Sequence, residues 1–288
     1  MNEYSIFDAH CDTLCHTADK GVLISDNGCS IDKNYMLEYK KYTQVFACFI
    51  DPMYYDNPKA RFDTLYKSFK AQDFSGINPI LSLEGGEVIE SLEDVEYLYD
   101  CGVRCATLTW NNTNKLAGGV DDADFGLTKF GKSVIGKMEE LGILIDVSHL
   151  NDKSFYDVAS VITRPIIATH SNSRVLCGHR RNITDDMFKI IRDSGGCVGI
   201  NFYPLFLTEK EQCTVDDAIL HIEHFMSLDG ENSIGIGSDF DGIPYTPKDL
   251  NNCGKLYRLL DILKEMGTQK ELIEKISHKN FERVFGEE

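Results

Sequence analysis

Six residues carry the chemistry of this chain: His10, Asp12, Glu84, His149, His170 and Asp239. His10 and Asp12 lie in the stretch Tyr-Ser-Ile-Phe-Asp-Ala-His-Cys-Asp, residues 4–12. Side chains two apart on a strand share a face, so this pair is expected to point the same way at a strand end. An imidazole nitrogen beside a carboxylate oxygen makes half of a first-row metal site. H-x-D alone is as readily a surface loop. The other four residues recur in the same setting, just after a short apolar run, and that shifts the balance. Three imidazoles and three carboxylates at one mouth suit two divalent ions that share a bridging carboxylate. Such ions, typically ~3.5–4 Å apart, clamp and acidify a water and polarise a carbonyl or phosphoryl oxygen. Nitrogen and oxygen ligands without thiolates favour two zinc ions, with manganese, iron or cobalt as alternatives.

The elements that must position these residues alternate regularly. Strands are expected at the N-terminal stretch, Thr43–Ile50, Pro79–Leu83, Val103–Leu108, Ile143–Val147, Pro165–Ala168, Cys197–Phe202 and Ile234–Gly237. Helical spacing falls between them: Pro58 to about Phe74, Leu92–Tyr99, Thr128–Leu141, Asp152–Val161, Thr184–Asp193 and Thr214–Leu228. Segments near 254–266 and 269–278 also read as helices, and residues 13–43, with Gly21, Asn27 and Gly28, read as loop. Asn111–Phe125 is a long polar loop. About eight strand–helix units imply a parallel sheet covered by helices. Polar residues that all follow the last apolar residue of a strand point to a closed (β/α)8 TIM barrel, whose chemistry sits at the C-terminal ends of its strands. At 288 residues the chain fits one such domain, 1–288.

Composition narrows the partners. A net charge of −17 argues against nucleic acid and against an anionic membrane surface. No apolar run approaches the ~18 residues of a membrane span, and the first residues show no basic secretory leader. The ten cysteines include no C-x-x-C pair and read as small buried hydrophobes in a reducing cytoplasm.

Phe-Asp-Ala-His-Cys-Asp-Thr-Leu, Ser-Leu-Glu-Gly-Gly, Asp-Val-Ser-His-Leu, Ala-Thr-His-Ser-Asn-Ser-Arg, Arg-Asn-Ile-Thr-Asp and Gly-Ser-Asp-Phe-Asp-Gly appear in that order between residues 7 and 242. Together they resemble the membrane (renal-type) dipeptidase family of zinc metallopeptidases. The resemblance implies an amidohydrolase-like barrel with a binuclear zinc centre that hydrolyses dipeptides, often tolerating a D-residue at the C-terminal position. It implies that His10 and Asp12 bind one zinc, His149 and His170 the other, and that Glu84 bridges them. Arg181 would hold the substrate carboxylate, where a planar guanidinium suits a bidentate partner. Asp239 would trade protons with the attacking, metal-bridged hydroxide and the leaving amine. The family's best-studied members carry a histidine where this chain has Trp110, which can donate one hydrogen bond but cannot become cationic. A dimer is also implied, and the membrane anchor of animal relatives is not expected here.

Other candidates carry less. His179 is placed either on the pocket wall or in a plain loop, and Tyr203 is a wall candidate. His221 and His224 share a helix face but are expected on an outer helix, away from the strand ends. His16 and His278 have no ligand-like setting; Asp121, Asp122 and Asp124 read as a solvated cluster or as a screen against acidic substrates at the mouth. Gly235 and Gly237 are expected to thin the last strand so that backbone approaches the metals. Two rivals remain: a related hydrolase of another amide, lactone, ester or phosphoester, and a non-catalytic metal-binding relative. A free substrate carboxylate, read by Arg181, separates the first rival from a dipeptidase.

Overall fold

Eight parallel strands close in chain order into a barrel in the computed structural model, which describes residues 2–286. The strands are β1 (Ser5–Cys11), β2 (Lys41–Phe49), β3 (Asn78–Glu84), β4 (Val103–Thr107), β5 (Leu144–Asp146), β6 (Ile166–Ala168), β7 (Cys197–Ile200) and β8 (Ile234–Ile236). β8 pairs back onto β1, so the sheet has no free edge. The (β/α)8 expectation therefore holds.

Helix boundaries follow local chemistry. Thr128, Asn151 and Thr184 each accept the backbone N–H three residues on and so satisfy a donor that the first turn leaves unpaired. Asp94 and Asp217 accept the N–H of Ser91 and Thr214 at their helix starts. Gly142, at φ +84°, ends the helix Lys129–Leu141 in the left-handed conformation that costs glycine least.

Two expectations need correction. Residues 13–43 are not all loop: Thr13–Lys20 is a helix that buries Leu14 and Thr17 and stops at Gly21. The glycine that suggested a loop is this helix's terminator. The segment 269–278 does not end the helical structure either. It runs through a π-helical turn, Lys275–Lys279, into the helix Asn280–Phe285.

That last helix closes the bottom of the barrel. Phe281 belongs to one apolar cluster with Phe7, Ala9, Val45, Ile80, Cys105, Ile167 and Cys197, residues drawn from six strands. Its ring stacks on Phe7 at 5.4 Å. Ile6 and Cys11 belong instead to the outer core beneath the helices. Phe7 and Ala9 thus face inward while Cys11 does not, and simple alternation fails between them.

The cause is a bulge. Asp8 pairs with Gln44 and Cys11 with Phe46, three steps on β1 against two on β2. One extra residue flips the phase of the strand and re-aims the side chains beyond it. His10 and Asp12 owe their common direction to this bulge as well as to their spacing of two.

Gly235 and Gly237 serve a purpose different from the one expected. A Cβ on Gly235 would collide with the Phe281 ring, and one on Gly237 with the Thr169 carbonyl. They admit the plug and the chain just past β6.

Replacing Phe281 by Ala should cost about 3–5 kcal/mol, the usual range for emptying a buried aromatic site. Urea unfolding monitored by circular dichroism would measure it. A loss below ~1 kcal/mol would mean that the helix is not a plug.

Candidate active site

The expected residues converge. β1 delivers His10 and, one residue past its end, Asp12; β3 ends on Glu84; His149 and His170 follow β5 and β6; Asp239 follows β8. All six are buried. His10 Nε2 lies 3.4 Å from Asp12 Oδ2, 3.3 Å from Glu84 Oε2 and 3.9 Å from Asp239 Oδ1. On its other side, Glu84 Oε1 lies 2.8 Å from His149 Nε2 and 3.8 Å from His170 Nε2. Two triads result, His10–Asp12–Glu84 and Glu84–His149–His170, each with ligand atoms within 4.8 Å of one another. Glu84 belongs to both. A third grouping joins His10, His170 and Asp239.

The donor set fits divalent metal. His10 Nε2, Asp12 Oδ1 and Glu84 Oε2 are buried with no hydrogen-bond partner, a costly state for polar atoms unless a cation satisfies them. Imidazole and carboxylate ligands without thiolate suit zinc.

Electrostatics agree. Burial and the neighbouring Asp12 push the Glu84 carboxyl up to about 8. Burial opposes a charge on His10, yet Glu84 and Asp12 outweigh it and hold the imidazole well above its ordinary range. Both groups therefore lean toward their protonated forms. Burial holds His149 and His170 well below the ordinary value, so both are neutral, the form that ligates metal. Burial also raises Asp239 to about 6.

The backbone is bent to this purpose. His149 and Asp239 sit at φ +71° and +61°. The left-handed region is uncommon for a non-glycine residue and costs on the order of 1–3 kcal/mol, which surrounding structure must offset. Behind them, Asp8 accepts the backbone N–H and hydroxyl of Ser238 and, at 3.4 Å, the N–H of His10. The Asp239 N–H donates to the His10 carbonyl. β1 and β8 are thereby locked directly beneath the cluster.

A cavity of about 380 Å³ opens over these groups. Its walls include Trp110, Asn111, Arg181, Tyr203, Phe206 and Asp239. Arg181 is buried, with its Nη2 free of any hydrogen bond and its guanidinium 5.6 Å from the Phe206 ring. Trp110 packs 5.3 Å from Phe49 and 6.1 Å from His149. Tyr203 stands between Phe206 and Tyr245.

The remaining candidates sort differently. His179 is not on the wall; its Nδ1 accepts the Arg181 N–H and its ring packs on Phe206. His221 is not remote from the strand ends. It is fully buried, accepts the Ser173 N–H on the loop beyond His170, and reaches the Leu207 carbonyl. His224 pairs with Asp185 on the outside. Asp121 pairs with Arg180, and none of the three loop aspartates lines the cavity. His16 and His278 hold only local hydrogen bonds.

Sequence reading missed several residues that act on the cluster. Asn201, just past β7, donates to Asp239 Oδ2 at 2.8 Å. Asp8, Asn111, Asp146 and Thr169 contact the ligands or their strands. Asn201 lay inside the strand expected over Cys197–Phe202, and only the end of β7 at Ile200 places it at a strand end.

Comparison with known proteins places these features in context. Residues 49–288 match the model of the membrane dipeptidase family, Peptidase family M19. Over 202 residues the chain is 37% identical to an uncharacterised Klebsiella pneumoniae protein encoded in the pqqA 5′ region, covering 66% of this chain and 74% of that one. It is 36% identical over 216 residues to an uncharacterised dipeptidase of Schizosaccharomyces pombe, where the match covers 71% of this chain but only 51% of the relative. Among solved structures, a dipeptidase AC of family M19 superposes with a TM-score of 0.89 at 24% identity, over 99% of this chain and 100% of that one. A Rhodobacter sphaeroides metallopeptidase, solved with a phosphinate mimic of L-Ala-D-Ala, gives 0.87 at 22% identity over 99% of each chain. At these identities the structural likeness is one of fold.

Divalent metal entering this cluster must displace the protons held by Glu84 and His10. Zinc binding to the metal-free protein at neutral pH should therefore release protons, and the apparent affinity should rise as pH approaches about 8, the Glu84 value. Calorimetric titration in two buffers of different ionisation enthalpy measures the release. Binding with no proton release would contradict the upward shift of Glu84 and His10.

Proposed function

The chain belongs to the membrane dipeptidase family, and from that premise we propose that it is a zinc-dependent dipeptidase hydrolysing the peptide bond of dipeptides. One observation carries the reading: a buried guanidinium with an unpartnered Nη2 lines the same cavity as two ligand triads that share Glu84. A substrate that offers a free carboxylate at one end and a polarisable carbonyl nearby suits that arrangement.

In this reading His10 and Asp12 hold one zinc, His149 and His170 the other, and Glu84 is common to both. The two ions, when bound, supply an acidified water as nucleophile and neutralise charge that develops on the carbonyl oxygen. Everything else falls to side chains. Arg181 takes the substrate's terminal carboxylate in charge-assisted hydrogen bonds and sets the register of the peptide over the cluster.

Asp239 receives the proton of the attacking water and returns it to the departing amine. Asn201 occupies its Oδ2, which leaves Oδ1, the oxygen nearer His10, for this transfer. Trp110 offers an indole N–H and an apolar wall, not a second cation, so oxyanion stabilisation leans more heavily on the ligand cluster. Tyr203, with Phe206, walls the side of the cavity that holds Arg181. Tolerance for a D-residue at the C-terminal position is part of the proposal, because recognition rests on the carboxylate. Ten unpaired thiols suit a reducing compartment, and we assign the protein to the cytoplasm.

Amine release from matched L-L and L-D dipeptides, after chelation and after zinc is restored, tests the reading. Zinc-restored cleavage of dipeptides supports it. Bound metal with no dipeptide cleaved, while another amide, lactone or ester is hydrolysed, would replace it with a different hydrolase.

Two substitutions sharpen the assignment. Asp239→Asn should lower kcat about 10²–10⁴-fold with both metals retained, the usual worth of positioned acid–base catalysis; undiminished turnover would remove Asp239 from the mechanism. Arg181→Ala should lower kcat/KM for dipeptides roughly 10- to 150-fold, corresponding to ~1.5–3 kcal/mol for a hydrogen bond to a charged group. An equal loss on an uncharged amide would show that it does not read the carboxylate.

A further inference from the structure

Both histidines of the Glu84–His149–His170 triad touch a partner through the ring nitrogen that faces away from Glu84. His149 Nδ1 lies 2.8 Å from Asn111 Oδ1. An amide oxygen only accepts, so the proton of this hydrogen bond belongs to His149 Nδ1. His170 Nδ1 lies 2.8 Å from the Thr169 hydroxyl, which also makes a short hydrogen bond to Asp146 Oδ2. A hydroxyl has one proton to give. With a carboxylate as the second neighbour, Thr169 donates to Asp146 and accepts from His170, so Nδ1 again carries the proton. Asp146 is itself held, its other oxygen accepting the N–H of Ser148 and of Thr169.

The two Nε2 atoms are thereby left as bare acceptors. They stand 2.9 Å apart, with Glu84 Oε1 2.8 Å from one and 3.8 Å from the other. Neither imidazole then brings a proton to this point, and a shared cation is what satisfies the two facing lone pairs.

We propose that Asn111, and Thr169 together with Asp146, are positioning residues that lock His149 and His170 in the Nδ1–H tautomer and aim both Nε2 lone pairs at one metal. The inference rests on the metal-centre reading above and adds how the site is set before metal arrives. Partners beyond the ligands commonly fix a ligating imidazole in this way.

The two locks differ in their origin. Thr169 adjoins His170 and sits on a strand end, whereas Asn111 arrives from a loop. That loop is fastened to the His149 turn at two further points: Val120 N–H donates to the His149 carbonyl, and Asn151 N–H to the Gly118 carbonyl. Asn111 also lines the cavity and follows Trp110 directly, so one dipeptide segment builds both a substrate wall and the orientation of a ligand.

The test is long-range ¹H–¹⁵N correlation of histidine-labelled, metal-free protein at neutral pH, together with zinc affinity by chelator competition. Wild type should show His149 and His170 protonated on Nδ1. Asn111→Leu should move His149 toward the Nε2–H form and weaken one of the two zincs by about 10–100-fold, while His170 is unchanged. Asn111→Asp, which restores an acceptor oxygen, should recover both tautomer and affinity. Thr169→Val should do to His170 what Asn111→Leu does to His149. A general loss of structure would not separate the two histidines, nor would it be rescued by Asn111→Asp.

Nε2–H tautomers in the wild type, or an Asn111→Leu protein with tautomer and zinc affinity both unaltered, would overturn the proposal. Should Asn111→Leu fail to fold, the wild-type spectrum and Asn111→Asp still decide it. A wild type that binds no zinc would sink the metal-centre reading, and the tautomer spectrum would then judge this inference by itself.

Discussion

Convergence of buried acceptors at the barrel mouth is the constraint that the rest of the structure serves. Asp12, Glu84 and Asp239 stand within 4 Å of one imidazole nitrogen, and two more imidazole nitrogens crowd the far side of Glu84. Left to themselves such groups repel, and taking them out of water costs several kcal/mol each. A closed parallel barrel can impose this arrangement because the six residues are anchored on five different strand ends, and no strand can relax without breaking two ladders. Left-handed backbone at His149 and Asp239 records part of that cost locally.

The most heavily reinforced joint is the one where the sheet meets itself. A single register pair, Asp8 with Ile236, joins β1 to β8. The Asp8 carboxylate compensates by gripping Ser238 through both backbone and hydroxyl, and the backbones of His10 and Asp12 reach across to Asp239 and Phe240. Half of the ligand cluster hangs from this seam. Gly242 completes it: any Cβ there would collide with the Asp12 carboxylate, so the loop beyond β8 can pass only as glycine. The seam is polar where most of the barrel is apolar, and its polar groups hold His10, Asp12 and Asp239 in register.

How much of this could be read from the chain depends on whether the cause is local. β–α alternation and polar residues placed just after apolar runs are local patterns, and they placed all six cluster residues; Arg181 came only through the resemblance carried by Arg-Asn-Ile-Thr-Asp. The β1 bulge was not legible, because it exists only relative to β2. Thr13–Lys20 and Asn280–Phe285 were missed because each is short; one is stabilised by burying Leu14 and Thr17, the other by docking on the barrel floor. Asn111, Thr169, Asp146 and Asn201 are ordinary polar residues in sequence. Their roles come from which atom they face across the fold, and spacing does not encode that. His221 misled for the same reason: its helix is outer, yet its ring points inward to a loop beside the site.

The plug beneath the barrel sets a timetable for the protein's synthesis. His10 leaves the ribosome long before Asp239, and Phe281, which fills the barrel floor, emerges later still. Contacts so distant in sequence form late, after the intervening loops have been closed. A growing chain therefore carries its ligands uncollected until β8 has emerged. The barrel floor closes only once the helix Asn280–Phe285 is free to dock. The ligand cluster is thus a property of the closed barrel, assembled from parts that no short stretch of the chain brings together.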